Sequence, residues 1–238
     1  MSDNTAQDSG RESNTQPHRP IKSFVRHHGR LTAGQKHALD SYWQDFGLDY
    51  QTKPLDLTQF GEFTQVVFEI GFGNGESFIE MAEHAPHTLF IGAEVHKPGI
   101  GHTLLLAKQK QLHNIRVIEH DAVEFIDNML PAKSLDRVQI FFPDPWPKKR
   151  HFKRRLIQPE FCQKLRRVLK KGGILHIATD WLPYAEHCVL VINSLDFFNN
   201  LSPDNRYIKK PDYRPQTKFE RRGLKLGHSV YDMCFTIV

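Results

Sequence analysis

The sequence has few cysteines, no long apolar run and no metal-binding spacing. Cys162, Cys188 and Cys234 form no CxxC pair, which argues against a disulfide framework and indicates buried thiols in a reducing compartment. No apolar stretch is as long as a transmembrane helix, and no signal-peptide pattern opens the chain. We therefore expect a cytoplasmic protein that does not bind membranes. The 14 histidines include no HxH or HExxH spacing, so we also expect no metal site.

The length suits one domain, and the positive net charge allows an anionic partner without requiring one. The 238 residues suffice for one α/β domain and a small extension, and the net charge of +5 is compatible with nucleic acid. Residues 1–20 are polar and are predicted to be disordered. Residues 21–30 are basic and form either a solvated arm or one that contacts RNA. We expect residues 21–238 to form a single domain, with residues 21–60 as its N-terminal arm and helix.

A glycine-rich loop after a buried strand is the feature that organises the chain. The apolar run Val66–Ile70 contains Glu69 and leads into Gly71, Gly73 and Gly75, after which a helical pattern begins. Glycines allow a sharp turn and leave no side chain between the backbone and a ligand. This arrangement predicts a nucleotide-type site at the carboxyl end of a parallel strand.

The residues around the loop favour a cationic nucleotide over a dinucleotide. A dinucleotide fingerprint has Gly or Ala where this chain has Glu76, and Glu69 would repel a pyrophosphate. S-adenosylmethionine carries a sulfonium and an ammonium group and no phosphate, so an acid suits it. An NAD-linked oxidoreductase is therefore the disfavoured alternative.

Two later acids extend the predicted cofactor site. Leu89–Glu94 is a predicted strand whose terminal Glu94 stands 23 residues after Gly71, a spacing typical of an acid that binds ribose hydroxyls. Asp121 follows a third strand, where it either accepts from the adenine amino group or caps a helix.

The sequence pattern predicts a helix that begins at the capping box Thr32–Gln35, with Leu39, Tyr42, Trp43 and Phe46 on one apolar face. It also predicts a helix from Glu160 to Lys171 ended by Gly172-Gly173, a loop over 199–215 and a last strand at 229–238. The alternation of strands and helices predicts a doubly wound, mostly parallel α/β sheet.

A proline-rich loop followed by a basic run is the second unusual feature. The fourth strand, predicted over 135–142, runs into Pro143-Asp144-Pro145-Trp146-Pro147, which is stiff enough to hold Asp144 at the same sheet edge as the glycine loop. Trp146 either stacks on a flipped base or packs in the core. Six of the eight residues from 148 to 155 are Lys or Arg, which favours phosphate contacts over a merely solvated face.

Several segments together resemble one enzyme family, the bacterial tRNA (guanine-N7-)-methyltransferases. The resemblance rests on Glu69–Gly73, Phe142–Trp146, Ala178–Trp181 and Thr217–Glu220, and it covers residues 21 to 238. It implies a Rossmann-like class I methyltransferase fold with an antiparallel C-terminal strand. It also implies S-adenosylmethionine as cofactor and a tRNA guanosine, usually in the variable loop, as substrate. The chain is then a monomer or a homodimer that binds tRNA.

The resemblance assigns roles to individual residues. The implied cofactor-binding residues are Glu69, Gly71, Gly73, Glu94, Asp121 and Asp144, and Asp144 is also the implied catalytic residue. The implied substrate-binding residues are Lys148, Asp180, Thr217, Lys218, Phe219 and Glu220. The implied RNA contacts are Arg150, His151, Lys153, Arg154 and Arg155.

Guanine chemistry limits what the protein must supply. N7 has a lone pair and no proton, so methyl transfer needs alignment and stabilisation of a growing cation rather than a general base. The base edge offers two donors, which Asp180 or Glu220 could accept; the sequence does not choose between them. The alternatives are a non-catalytic RNA-binding protein and a methyltransferase acting on another nucleic-acid or protein amine.

Overall fold

The computed structural model describes residues 23–24, 29–217, 220–221, 227 and 229–238. The predicted disordered tail, most of the basic arm, and two predicted substrate residues, Lys218 and Phe219, lie outside this part of the chain.

Seven strands form one sheet in the order β3-β2-β1-β4-β5-β7-β6 within the described residues. The strands are β1 (Gln65–Ile70), β2 (Thr88–Glu94), β3 (Ile115–Glu119), β4 (Leu135–Phe141), β5 (Leu169–Thr179), β6 (Phe198–Asn200) and β7 (Tyr231–Ile237). The first five pair in parallel, whereas β7 is antiparallel to both β5 and β6. The predicted fold class, a mostly parallel doubly wound sheet with an antiparallel C-terminal strand, is confirmed.

Helices cover both faces of the sheet. They are α1 (Ala33–Phe46), α2 (Glu76–His84), α3 (Lys97–Gln109), α4 (Ala122–Asn128), α5 (Pro159–Val168) and α6 (Leu182–Asn193). Alternate strand residues point to opposite faces, so Val67 belongs to one apolar cluster and its neighbour Phe68 to the other. The two clusters are the two sides of one sheet-centred core.

The predicted start of α1 is confirmed, and its apolar face packs as expected. Thr32 and Gln35 form a reciprocal capping box, which satisfies backbone donors that the first turn leaves unpaired. Phe46 is buried, and Leu39 and Trp43 pack against the same cluster as α2 and α3.

The prediction for the end of α5 was wrong. The sequence predicted a helix from Glu160 to Lys171 ended by Gly172-Gly173, but α5 ends at Val168 and β5 begins at once. The two glycines lie within β5, where Gly172 has φ of 75° and the pairing register with β4 shifts. Glycines that indicated a helix cap instead form an irregular segment of a strand, because both features use the left-handed conformation. The short edge strand β6 fell in a segment predicted to be a loop.

No helix within the described ranges is long and apolar enough to span a membrane.

Candidate active site

A cavity of about 460 Å³ opens at the carboxyl ends of the parallel strands. Its walls come from β1, β2, β4 and the residues that follow β3, so it lies where the strand order reverses between β1 and β4. This topological switch point is the usual ligand site of open α/β sheets. Three carboxylates line the cavity, those of Glu94, Asp121 and Asp144, and none of its described lining residues is Lys or Arg.

The glycine loop leaves room beside this cavity. Gly71, Gly73 and Gly75 have φ of 74°, 60° and 77°, in the left-handed region that side-chain-bearing residues avoid. A Cβ on Gly75 would lie 2.0 Å from the Thr103 hydroxyl oxygen, so Gly75 is also required by packing. A Cβ on Gly71 or Gly73 would meet no atom within 4 Å. These two positions therefore border open space that a ligand can occupy.

The Glu94 carboxylate connects the glycine loop to the residues that follow β2. One oxygen, Oε2, accepts from the Gly73 amide at 2.8 Å, and Oε1 accepts from the amides of Val95 and His96 at 2.6 and 2.9 Å. The side chain is buried at the cavity wall. A carboxylate has about four acceptor positions. The three amides occupy three of them, so the orientation of the Glu94 carboxylate at the cavity wall is fixed.

Asp121 performs one predicted role and is placed for the other. Its Oδ1 accepts from the Val123 amide at 2.9 Å, which caps α4. The same residue lines the cavity. The cap fixes the carboxylate, so the structural and the ligand-binding interpretations of Asp121 are compatible.

Glu69 is buried near the end of β1, directly before Ile70 and Gly71, which line the cavity. It accepts from Gln139 Nε2 at 2.6 Å. Burial raises the pKa of Glu69 to about 7, although the hydrogen bond from Gln139 and the charge of Arg137 oppose the rise. Glu69 is not among the described lining residues of the cavity, and its direct cofactor contact stays a prediction.

The proline-rich loop is conformationally strained, and it carries Asp144. Phe142 and Trp146 have φ of 52° and 45°, which non-glycine residues rarely adopt. Trp146 Nε1 donates to the Ser23 carbonyl at 3.0 Å, and the Arg154 guanidinium lies 4.6 Å from its ring centroid. The Trp146 ring is thus held within the protein, while Asp144 is exposed at the cavity mouth.

The basic run forms a 3-10 turn, Lys149–Arg154, next to this loop. Lys148, Arg150 and Lys153 are exposed there. Partial desolvation, and then the charge of neighbouring Arg150, hold the pKa of His151 below its usual value. The turn presents a cationic surface beside the acidic cavity.

Arg155 differs from the exposed cations of the turn, because it is buried. It is only 4% exposed, donates from Nε to the Pro145 carbonyl at 3.1 Å, and lies 3.7 Å from the Phe152 ring centroid. Its guanidinium holds the proline-rich loop, and its RNA contact stays a prediction.

Two C-terminal acids that the sequence could not separate have different surroundings. Asp180 is exposed at the end of β5, next to the strand that carries the Asp144 loop. Glu220 is buried, and both of its oxygens accept from Arg214, at 2.7 and 2.9 Å. Thr217 and Glu220 also bond reciprocally, side chain to backbone, in the manner of a capping box.

Sequence analysis missed Arg214 and its second partner, Asp232. Arg214 donates from Nε and Nη2 to the two Asp232 oxygens at 2.7 and 2.9 Å. One signal was present in the sequence: Asp232 is the only acid in the apolar strand β7. A lone acid in a buried strand requires a partner.

The chain is similar to known methyltransferases. Residues 64–233 match the family model described as "Putative methyltransferase". The chain is 53% identical over 225 residues to the tRNA (guanine-N(7)-)-methyltransferase of Serratia proteamaculans (strain 568), which covers 94% of both chains. A protein of the same name from Shewanella amazonensis is 52% identical, over 91% of this chain and 92% of its own.

The chain belongs to the tRNA (guanine-N(7)-)-methyltransferase family. The predicted resemblance is confirmed.

Solved structures support the same fold. The 16S rRNA methyltransferase KamB is similar with a TM-score of 0.55 at 16% identity, over 81% of this chain and 97% of its own. A 16S rRNA (adenine(1408)-N(1))-methyltransferase from Catenulisporales acidiphilia is similar with a TM-score of 0.51 at 17% identity, over 77% and 92%. At these identities the likeness concerns the fold alone.

Proposed function

We propose that this protein transfers the methyl group of S-adenosylmethionine to N7 of a guanosine in tRNA, and that the target is the variable-loop guanosine. The observation that carries the proposal is an acidic cavity at the switch point of a methyltransferase fold, directly beside an exposed basic turn. Relatives at 51–53% identity have the same activity in their names.

The cavity fits the methyl donor by charge and by shape. Three carboxylates and no described Lys or Arg suit a sulfonium and an ammonium group and would disfavour a pyrophosphate. The open space at Gly71 and Gly73 accommodates a ligand against the backbone. Glu94 and Asp121 would hold the ribose and adenine. When bound, S-adenosylmethionine supplies an activated methyl group and its own leaving group.

Asp144 acts on charge and position rather than on a proton. Guanine N7 has no proton to remove, so a general base has no task at this step. The base becomes cationic as the methyl group is transferred, and a carboxylate beside it lowers the energy of that growing charge. Asp144, exposed at the mouth between cavity and basic turn, is suitably placed for this role.

Asp180 is the better candidate for reading the guanine edge. The ring N–H and amino group of guanine are two donors, and a carboxylate with available oxygens matches both. Asp180 is exposed, whereas Glu220 would have to give up Arg214 to contact the base. We therefore assign recognition to Asp180 and a supporting role to Glu220.

The basic turn holds the tRNA backbone. Lys148, Arg150 and Lys153 present cations to solvent next to the reacting centre, where phosphates of a bound tRNA would pass. This surface explains how a cavity lined by acids can serve a polyanionic substrate: the two charges occupy separate areas.

The test is methyl transfer from labelled donor to an unmodified tRNA transcript, with the product mapped by reduction and aniline cleavage. We expect one cleavage, at the variable-loop guanosine. A transcript with 7-deazaguanosine at that position lacks the N7 lone pair and should accept no methyl group. A transcript with inosine there lacks the amino donor and should react more slowly. Incorporation of label into the 7-deaza transcript would indicate methylation of another atom and refute the proposal.

A further inference from the structure

Arg214 is a buried cation that joins the C-terminal strand β7 to Glu220, one of the predicted substrate-binding residues. It is 1% exposed, and four hydrogen bonds fix it, two to Asp232 on β7 and two to Glu220. A guanidinium has five donors in a planar fork, so nearly all its capacity is used.

The strand side of this arrangement is itself rigid. Asp232 pairs with Ala178 of β5, two residues before Asp180, and its Oδ1 lies 2.9 Å from His176 Nε2. Burial lowers the pKa of His176, so the imidazole is neutral at pH 7 and donates from Nε2. The other ring nitrogen of His176, Nδ1, then accepts from the Tyr213 hydroxyl at 2.8 Å. Burial raises the pKa of Tyr213 and so keeps this hydroxyl protonated.

The segment side depends on the same bonds. Glu220 Oε2 also lies 3.3 Å from the Thr217 amide, and Thr217 Oγ1 accepts from the Glu220 amide at 3.1 Å. The Glu220 carboxylate therefore connects Thr217 to Arg214, and through Arg214 to β7. The guanidinium carbon also lies 5.7 and 5.8 Å from the ring centroids of Phe141 and Phe142, which lead into the Asp144 loop.

Stability alone does not explain a buried cation here. A buried ion cluster is often no more stable than apolar side chains of the same volume, because desolvation cancels most of the attraction. Its distinctive property is direction, since a bidentate pair fixes the relative orientation of two groups.

We propose that Arg214 is a positioning residue, which anchors Glu220, and through it Thr217, to β7 beside the guanosine that Asp180 and Asp144 hold. This rests on the proposed function. Glu220 then acts through Arg214 rather than by contact with the base.

The experiment compares Arg214→Met, which keeps the length without the charge, and Arg214→Lys, which keeps the charge without the fork. We expect kcat/KM for tRNA to fall about 100-fold in the first and about 10-fold in the second, while the Kd for S-adenosylmethionine stays within about twofold. Arg206→Met removes a cation that is 55% exposed and is the matched control; its kcat/KM should not change.

A double variant separates anchoring from base contact. If Glu220 works only through Arg214, adding Glu220→Gln to Arg214→Met costs no further activity. Additive losses, or an unchanged kcat/KM in a folded Arg214→Met variant, would overturn the proposal. Should Arg214→Met fail to fold, Arg214→Lys and its Glu220→Gln double variant carry the same comparison.

A readout without activity keeps this proposal distinct from the proposed function. Loss of the anchor should increase tryptic cleavage after Arg221 at least fivefold relative to Arg206→Met. An inactive wild-type protein would refute the proposed function and leave this cleavage difference to be measured; equal cleavage in the two variants would refute the anchor.

Discussion

The two halves of the site treat their acids differently. On the donor half, Glu94 and Asp121 are buried, and backbone amides bind their carboxylates. On the acceptor half, Asp144 and Asp180 are exposed, and the nearby cations belong to a solvent-facing turn. In the proposed function, the donor half is preorganised for one small ligand, whereas the acceptor half has to admit a large polyanion. The proposed source of rigidity in the acceptor half is the buried Arg214.

Removing Asp144, the exposed acid between the cavity and the basic turn, should have the largest effect on turnover. In Asp144→Ala, kcat should fall about 10²–10³-fold, because the carboxylate acts on charge that develops in the transition state. The Kd for tRNA should stay within a few-fold of wild type, as measured by filter binding alongside single-turnover kinetics. Asp196→Ala removes another exposed acid, in the connection after α6, and should change neither quantity. Equal losses of turnover and affinity would make Asp144 a binding residue.

The buried acid behind the donor half should make stability depend on pH. Glu69 has a pKa of about 7 in the folded protein against an ordinary value of 4.5. Between these values the folded state keeps a proton that the unfolded state has lost, so stability is full below about pH 4.5 and falls as pH rises to about 7. We expect Glu69→Gln to remove this slope and to be more stable than wild type at pH 8 by on the order of 1–3 kcal/mol.

Urea unfolding of the ligand-free protein at pH 5, 6, 7 and 8 measures this slope. Glu80→Gln, at an exposed position of α2, is the matched control and should follow the wild type at every pH. A wild-type slope that persists in Glu69→Gln would assign the proton to another group.

Two glycines have the same backbone conformation but differ in whether they line the cavity, so they test the donor half separately from stability. Gly71 and Gly172 have φ of 74° and 75°, and a Cβ on either would meet no atom within 4 Å. Substitution by Ala should therefore cost both variants a similar ~1 kcal/mol of stability. Only Gly71 lines the cavity, so only Gly71→Ala should weaken S-adenosylmethionine binding, by about tenfold or more, in calorimetric titration. Equal donor affinities in the two variants would place the ligand away from the loop.

The sequence predicted the donor half better than the acceptor half. Strand periodicity and the positions of Gly71 and Glu94 follow from local rules, and the structure brings these residues to one cavity. The burial of Arg155 beside Tyr184 and the pairing of Arg214 with Asp232 of β7 depend on contacts between separate segments, which no local pattern encodes. The position of Glu69 before the glycine loop also follows from the sequence, whereas its hydrogen bond to Gln139 depends on the pairing of β1 with β4.

The smallest effect concerns the basic turn, whose residues act as separate cations on phosphates. Lys153→Ala should weaken tRNA binding a few-fold, because one of several counterion-releasing contacts is lost. The slope of log Kd against log salt should decrease by about 0.7–0.9, the value for one phosphate contact. Filter binding measures both quantities at salt concentrations from about 50 to 200 mM, a range over which phosphate contacts change the affinity strongly.

The control for this slope lies at the other end of the sheet. Lys171 is exposed near the start of β5, whereas Asp180 follows the end of that strand. Lys171→Ala makes the same change of net charge as Lys153→Ala but lies away from the site. If the turn itself binds phosphate, only Lys153→Ala changes the slope. If both variants change it equally, tRNA is attracted by the net positive charge of the whole protein, and the basic turn has no special part in binding.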